Sequence, residues 1–139
     1  MARRFRQSSV AVNAAVNAIC RLLDGGFLRI YSGSQPDSAE DGLRQTTELL
    51  VEMRWGSPAF KSSVDGAAQS LPIISGKPSV AAGKASFFRA LAKDGATVIF
   101  DGSVGETQAD MIFPDVRIQH GALVKVESFR FTLPRSVID

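Results

Sequence analysis

The 139-residue chain holds one cysteine, one histidine, one tryptophan and one tyrosine, and each scarcity removes a class of function. A single Cys20 closes no internal disulfide. Set among Ile19, Leu22 and Leu23, it reads as a buried thiol behaving as a small hydrophobe. A single His120 excludes the several-histidine metal sites of small double-sheet barrels, and with them a metal-dependent cupin activity. No apolar run approaches the roughly 20 residues of a membrane-spanning helix. Gly25-Gly26 and Gly102-Ser-Val-Gly105 are short glycine pairs without the lysine of a phosphate-cradling loop, and no stretch has the alternating ligands of a Ca²⁺ loop. No cofactor is expected. The net charge of +2 gives the molecule only a weak overall field. Met1-Ala-Arg-Arg-Phe-Arg6 is basic, but Ser8 to Leu23 lacks the compact apolar block of a signal peptide, so synthesis in the cytoplasm is expected.

What the chain does have is a succession of short β-strands. Phe87, Phe88 and Leu91 are followed by Val98-Ile-Phe100, by Met111-Ile-Phe113, and by an apolar run from Leu123 through Leu133. Asp94-Gly95, Asp101-Gly102, Pro114-Asp115 and His120-Gly121 lie between or beside them as turn pairs. Such spacing predicts an antiparallel sandwich or barrel. Upstream, Phe27 to Tyr31 alternates as a first strand. Thr46 to Trp55 alternates as a half-buried one, with Leu49, Val51, Met53 and Trp55 on the inner face and Glu48, Leu50, Glu52 and Arg54 on the outer. The last apolar run changes parity between Val126 and Phe129, which requires a bulge near Glu127-Ser128 or a strand that leaves one sheet for another.

Residues 9–24 read as the one helix, with Ser9 as N-cap and Val12, Val16, Ile19, Cys20 and Leu23 on one stripe. Residues 56–83, rich in Gly, Ser, Ala and Pro, read as a long excursion with a short edge strand at Leu71-Pro-Ile-Ile74, serving either as a contact arm or as a plain surface loop. The expected organisation is a single domain: a basic N-terminal segment and helix over 1–26, then a mainly β, antiparallel jelly-roll-like sandwich over 27–139.

Candidate chemistry is sparse. His120 is expected in a hairpin turn rather than in catalysis. Asp94, Asp101, Glu106, Asp110 and Asp115 fall at strand ends and turns, where carboxylates bond nearby backbone; a glycosidase pair among them is the minor alternative. Arg3, Arg4 and Arg6 are the candidate partner-binding residues. Three arginines without interleaved aromatics do not make a nucleic-acid platform, so an acidic protein neighbour is the expected partner.

Four runs, in order, resemble a known family: Arg29-Ile-Tyr-Ser-Gly-Ser-Gln-Pro36; Glu48-Leu-Leu-Val-Glu-Met-Arg-Trp-Gly-Ser-Pro-Ala-Phe60; Ala85-Ser-Phe-Phe-Arg89 through Asp101-Gly-Ser-Val-Gly105; and Ile118-Gln-His-Gly-Ala-Leu-Val-Lys-Val126 with Phe129-Arg-Phe-Thr-Leu-Pro134. They are similar to the small cement, or head decoration, proteins of tailed bacteriophages, which have a jelly-roll fold. The resemblance implies a non-enzymatic virion protein on the head exterior that bridges neighbouring subunits of the major capsid protein. Self-association is expected, as a dimer ahead of a trimer, with no membrane and no direct nucleic-acid contact. A carbohydrate-binding or host-recognition module, and a tail or connector component, are the alternatives. A sugar-binding module requires exposed aromatics, and Trp55 and Tyr31 both fall within strands.

Overall fold

The computed structural model describes residues 5–74 and 77–133. Its architecture is mainly β with one helix, and its main element is a mixed sheet of five strands. Helix α1 (Ser9–Arg21) starts one residue earlier than expected at its cap: Ser8, not Ser9, is extended and accepts a bond from the Ala11 N–H at 3.1 Å. It also stops short of residue 24. Of the expected stripe, Val12, Val16, Cys20 and Leu23 enter the common core, while Ile19 is only half-buried.

Strands β1 (Phe27–Ser32), β2 (Glu48–Arg54), β6 (Phe87–Leu91), β7 (Val98–Gly105) and β8 (Met111–Ile112) form the sheet in the order β2-β1-β6-β7-β8. The first four are antiparallel, whereas β8 runs parallel to β7, so the sheet is not the purely antiparallel one expected. Its inner face carries the rows Met53–Leu28–Ala90–Phe100 and Val51–Ile30–Phe88–Gly102. Leu50, assigned to the outer face by strict alternation, is fully buried instead. The register shifts between Ile30 and Tyr31, so Leu50 is the unpaired residue of a bulge and turns inward. Trp55 is core, as expected, at 2% exposure.

Asp101-Gly102, expected as a turn, lies inside β7. Asp101 stands opposite Arg89, and a Cβ on Gly102 would come within 2.8 Å of the Phe88 ring, so glycine here makes room for that ring. Asp94-Gly95 does make the β6–β7 turn, with Gly95 at φ +69°.

The excursion is a second correction. Residues 56–83 form β3 (Ala67–Gln69), β4 (Ile73–Ile74) and β5 (Gly83–Lys84), paired with β11 (Arg130–Thr132), β10 (Lys125–Val126) and β9 (Arg117–Ile118) respectively. Small side chains erase the period-two signal, yet Ala59, Phe60, Ala67, Ala68 and Ile73 are buried, so this region builds core rather than standing off as an excursion, and the short edge strand expected at Leu71-Pro-Ile-Ile74 is present as β4. The parity change has its cause here: after Val126 the chain leaves β4 and joins β3, two short strands replacing the single last strand expected. Helix α1 is stitched to the same region. Asn17 Oδ1 accepts from Ser63 N at 2.9 Å, Asn13 Oδ1 from Gly66 N at 2.9 Å, and Asp24 Oδ1 from Ala59 N at 2.8 Å.

Candidate functional site

On the outer face of the sheet, one row crosses four strands: Glu52, Arg29, Arg89 and Asp101 are successive register partners. The alternation of a sheet places them together on the face opposite the core. Arg29 Nε donates to Glu52 Oε2 at 2.7 Å. Arg89 is 6% exposed, and its guanidinium donates to the carbonyls of Ser38 and Asp41, pinning the loop between β1 and β2 over the sheet. Gln35 Nε2 adds a bond to Asp101 Oδ1 at 3.1 Å. Arg89 Nε and Asp101 Oδ2 face each other at 3.8 Å, and neither has a hydrogen-bond partner. Beneath the same loop Tyr31 and Phe87 stack at 5.0 Å, and burial pushes the Tyr31 phenol up. The expected polar connection is therefore a flap, pinned over the sheet's outer face at Arg89 and Asp101.

The second feature is a groove of about 440 Å³ between β7 and β11. Its floor is aromatic. Phe100 and Phe131 stack at 5.1 Å with their planes 3° apart, Phe129 lies 5.9 Å from Phe100, and Phe88 meets Phe129 edge-on at 5.5 Å. Phe100 and Phe131 are only half-buried. Asp110 is exposed on one wall and Arg130 on the other. Among the described residues, neither the second edge of β11 nor that of β7 over residues 98–102 has a partner strand.

Of the candidate residues named from sequence, Asp101 joins the ion-pair row and Asp110 lines the groove; the others gather at neither place. Arg6 is exposed just before α1, and Arg3 and Arg4 lie outside the described residues. His120 is exposed in a turn closed by a bond from Ala122 N to Gln119 O at 3.2 Å, with Gly121 at φ +86°. That turn is not a hairpin: β9 before it pairs with β5, and β10 after it with β4.

Comparison with family profiles, curated proteins and solved structures gave no match.

Apart from Asp101, the carboxylates act on nearby backbone. Asp94 accepts from Ala96 N, Thr97 N and the Thr97 hydroxyl, bonds that hold its carboxyl down at about 2, the Thr97 side chain contributing most. Asp115 accepts from Arg117 N at 2.9 Å and is lowered by it, Glu106 accepts from Val116 N, and Asp110 clasps the N–H and hydroxyl of Ser103. Burial, with the Asp24 charge nearby, pushes the Cys20 thiol up to about 11, which leaves it a weak nucleophile at neutral pH. Among the described residues no three His, Cys, Asp or Glu side chains come together as metal ligands. The chemistry on display is that of surfaces: an ion-pair row under a flap, and an aromatic groove between two open strand edges. Sequence reasoning missed both. The one signal available was Arg89, a lone charge inside Phe87-Phe-Arg-Ala-Leu91, a strand otherwise wholly apolar and buried on both faces.

Proposed function

We propose that the chain is a structural protein of a tailed-phage virion, a cement protein that binds the outside of the assembled head and bridges neighbouring copies of the major capsid protein. The observation that carries the reading is where the family-like runs lie. Arg29–Pro36 forms β1 and the start of the flap, Glu48–Phe60 forms β2 and its exit, and Ala85–Arg89 with Asp101–Gly105 supplies β6 and most of β7. Three of the four runs thus belong to one continuous unit, the central sheet with the flap pinned to it. A sheet fixed on one side by a shared core and on the other by Arg89 is a stiff body, which suits a part that transmits load between capsid subunits.

The finer architecture belongs to the same proposal: a jelly-roll sandwich in which the five-stranded sheet is one layer and the β3–β11 and β4–β10 pairs build the other. The proposed partners are the major capsid protein and a second copy of the chain, with Arg3, Arg4 and Arg6 docking on acidic protein surface. Individual exposed ion pairs are worth about 0–1 kcal/mol, so the arginines act as a set repeated over many copies. The lectin alternative gains no support from Trp55 and Tyr31, which are 2% and 4% exposed. Imaging the virions and counting copies tests the proposal. Hundreds of copies on the head support it; a few copies at one vertex, or none in the particle, overturn it.

A further inference from the structure

The aromatic groove and the N-terminal segment are complementary, and they start from the same place. Phe5 is 60% exposed, and in sequence it stands between arginines, in Arg3-Arg4-Phe5-Arg6. The groove offers half-buried Phe100 and Phe131 to an incoming ring, and the exposed carboxylate of Asp110 to an incoming cation. The root of the segment is fixed beside the groove's end. A Cβ built on Gly66 would lie 3.2 Å from Val12 Cγ1, in the first turns of α1, and 3.3 Å from the carbonyl oxygen of Leu133, which follows β11. Leu133 N also donates to Gly66 O at 3.1 Å. Phe131 is two residues away.

We infer that the N-terminal segment of one copy docks in the β7–β11 groove of a second copy, with Phe5 seated on Phe100 and Phe131 and the arginines turned toward Asp110. Phe5 does not fill the groove of its own copy: it is 60% exposed and is not among the groove's lining residues. Pairing two copies about a two-fold axis beside Gly66 would set each segment root next to the other copy's groove. Such an interface is isologous and closes as a dimer. Seven extended residues reach roughly 25 Å at about 3.3–3.6 Å each, ample for a groove that begins near the root. The open edges of β7 and β11 provide backbone partners for an extended segment, and the Phe floor provides its anchor. Arg130 on the far wall directs the arginines to the Asp110 side. The inference concerns self-association alone and stands apart from the proposed place in a virion.

Sedimentation of the full chain over a micromolar concentration series is the first test, with the intact protein expected to dimerise. Phe5→Asp, a change at an exposed position, should raise the dimer dissociation constant about tenfold or more while leaving the circular dichroism and thermal midpoint unchanged. A second variant, Phe5→Cys with Thr132→Cys, reads out the route, because the only native thiol, Cys20, is buried. Oxidation should give a covalent dimer. A wild type that stays monomeric throughout the series, a Phe5→Asp protein that dimerises as well as wild type, or an internal bond within one copy would each overturn the inference.

Discussion

Replacing Arg89 with methionine tests how the flap is held. The side chain is 7% exposed, and its partner Asp101 is 11% exposed. Methionine preserves the apolar stem but removes the bonds to the Ser38 and Asp41 carbonyls, and it leaves the Asp101 carboxylate with no cation. Removing one member of a buried pair costs about 3–5 kcal/mol, because the survivor keeps its desolvation penalty without compensation. Against a total stability of about 5–15 kcal/mol, that is a large loss. For a chain of this length each kcal/mol moves the midpoint by about 4 °C, so Arg89→Met should melt about 12–20 °C lower. Replacing both partners, Arg89→Met with Asp101→Leu, should restore most of the stability, since an apolar pair leaves no stranded charge. The flap carbonyls at exposed Ser38 and Asp41 then turn to water. Urea unfolding of the two single variants and the double variant closes a thermodynamic cycle, with a coupling of at least about 2 kcal/mol expected. Trypsin cutting at exposed Arg44 should quicken in both Arg89 variants, because the anchor is gone in each. A single variant within about 1 kcal/mol of wild type, or a double variant as unstable as the sum of the singles, would refute the reasoning.

Three further outcomes follow from the core and the turns. Trp55→Ala should cost about 3–5 kcal/mol in thermal unfolding, since the indole stacks on Phe60 at 5.2 Å and its N–H donates to the Phe27 carbonyl at 3.1 Å; an unchanged midpoint would put Trp55 at the surface. Gly102→Ala should cost about 1–3 kcal/mol by driving a methyl into the Phe88 ring, readable as a lower urea midpoint with no change in slope. The Asp94 carboxyl should titrate at about 2 by NMR; its folded pKa lies below the unfolded value of about 3.9, so its contribution is complete above pH 4 and fades as pH falls toward 2. Asp94→Ala should therefore flatten the acid limb of the stability profile.

The elements legible from sequence were those whose period survived translation into three dimensions. The stripe Val12, Val16, Ile19, Cys20 and Leu23 predicted both the helix and, Ile19 excepted, its buried face. Phe27–Tyr31 likewise matches β1, and of the expected inward set Leu49, Val51, Met53 and Trp55 all but Leu49 are core; past the bulge Leu49 pairs with Tyr31 and is only half-buried. Leu50 escaped because a bulge is a register event between two strands, and a single strand's alternation carries no trace of it. Asp101-Gly102 misled because the same dipeptide that suits a turn also suits a strand where a carboxylate meets Arg89 and a ring needs space. Of the strands of residues 56–83, β4 was legible as the short edge strand expected at Leu71-Pro-Ile-Ile74, whereas β3 was hidden because Ala67, Ala68 and Ser70 pack by being small, leaving no hydrophobic period to read. The groove was hidden for a further reason: Phe100 and Phe131 lie 31 residues apart in the chain, and neither strand's own pattern brings the two rings together.

The pairing of β3 with β11 fixes the order in which the chain can finish folding. Ser70, just past β3, donates its N–H to the Phe129 carbonyl, and its hydroxyl accepts from Phe129 N at 2.8 Å across a separation of 59 residues. While the polypeptide is being made, β1 and β2 can zip together early, but β3 and β4 have no strand to pair with until the segment from Lys125 to Thr132 has emerged from the ribosome. Loop closure over such distances is slow, and apolar strand edges wait uncovered meanwhile. Newly synthesised chains should consequently pass through a half-built stage, a single sheet with its inner face bare, in which they depend on chaperones far more than the finished molecule does.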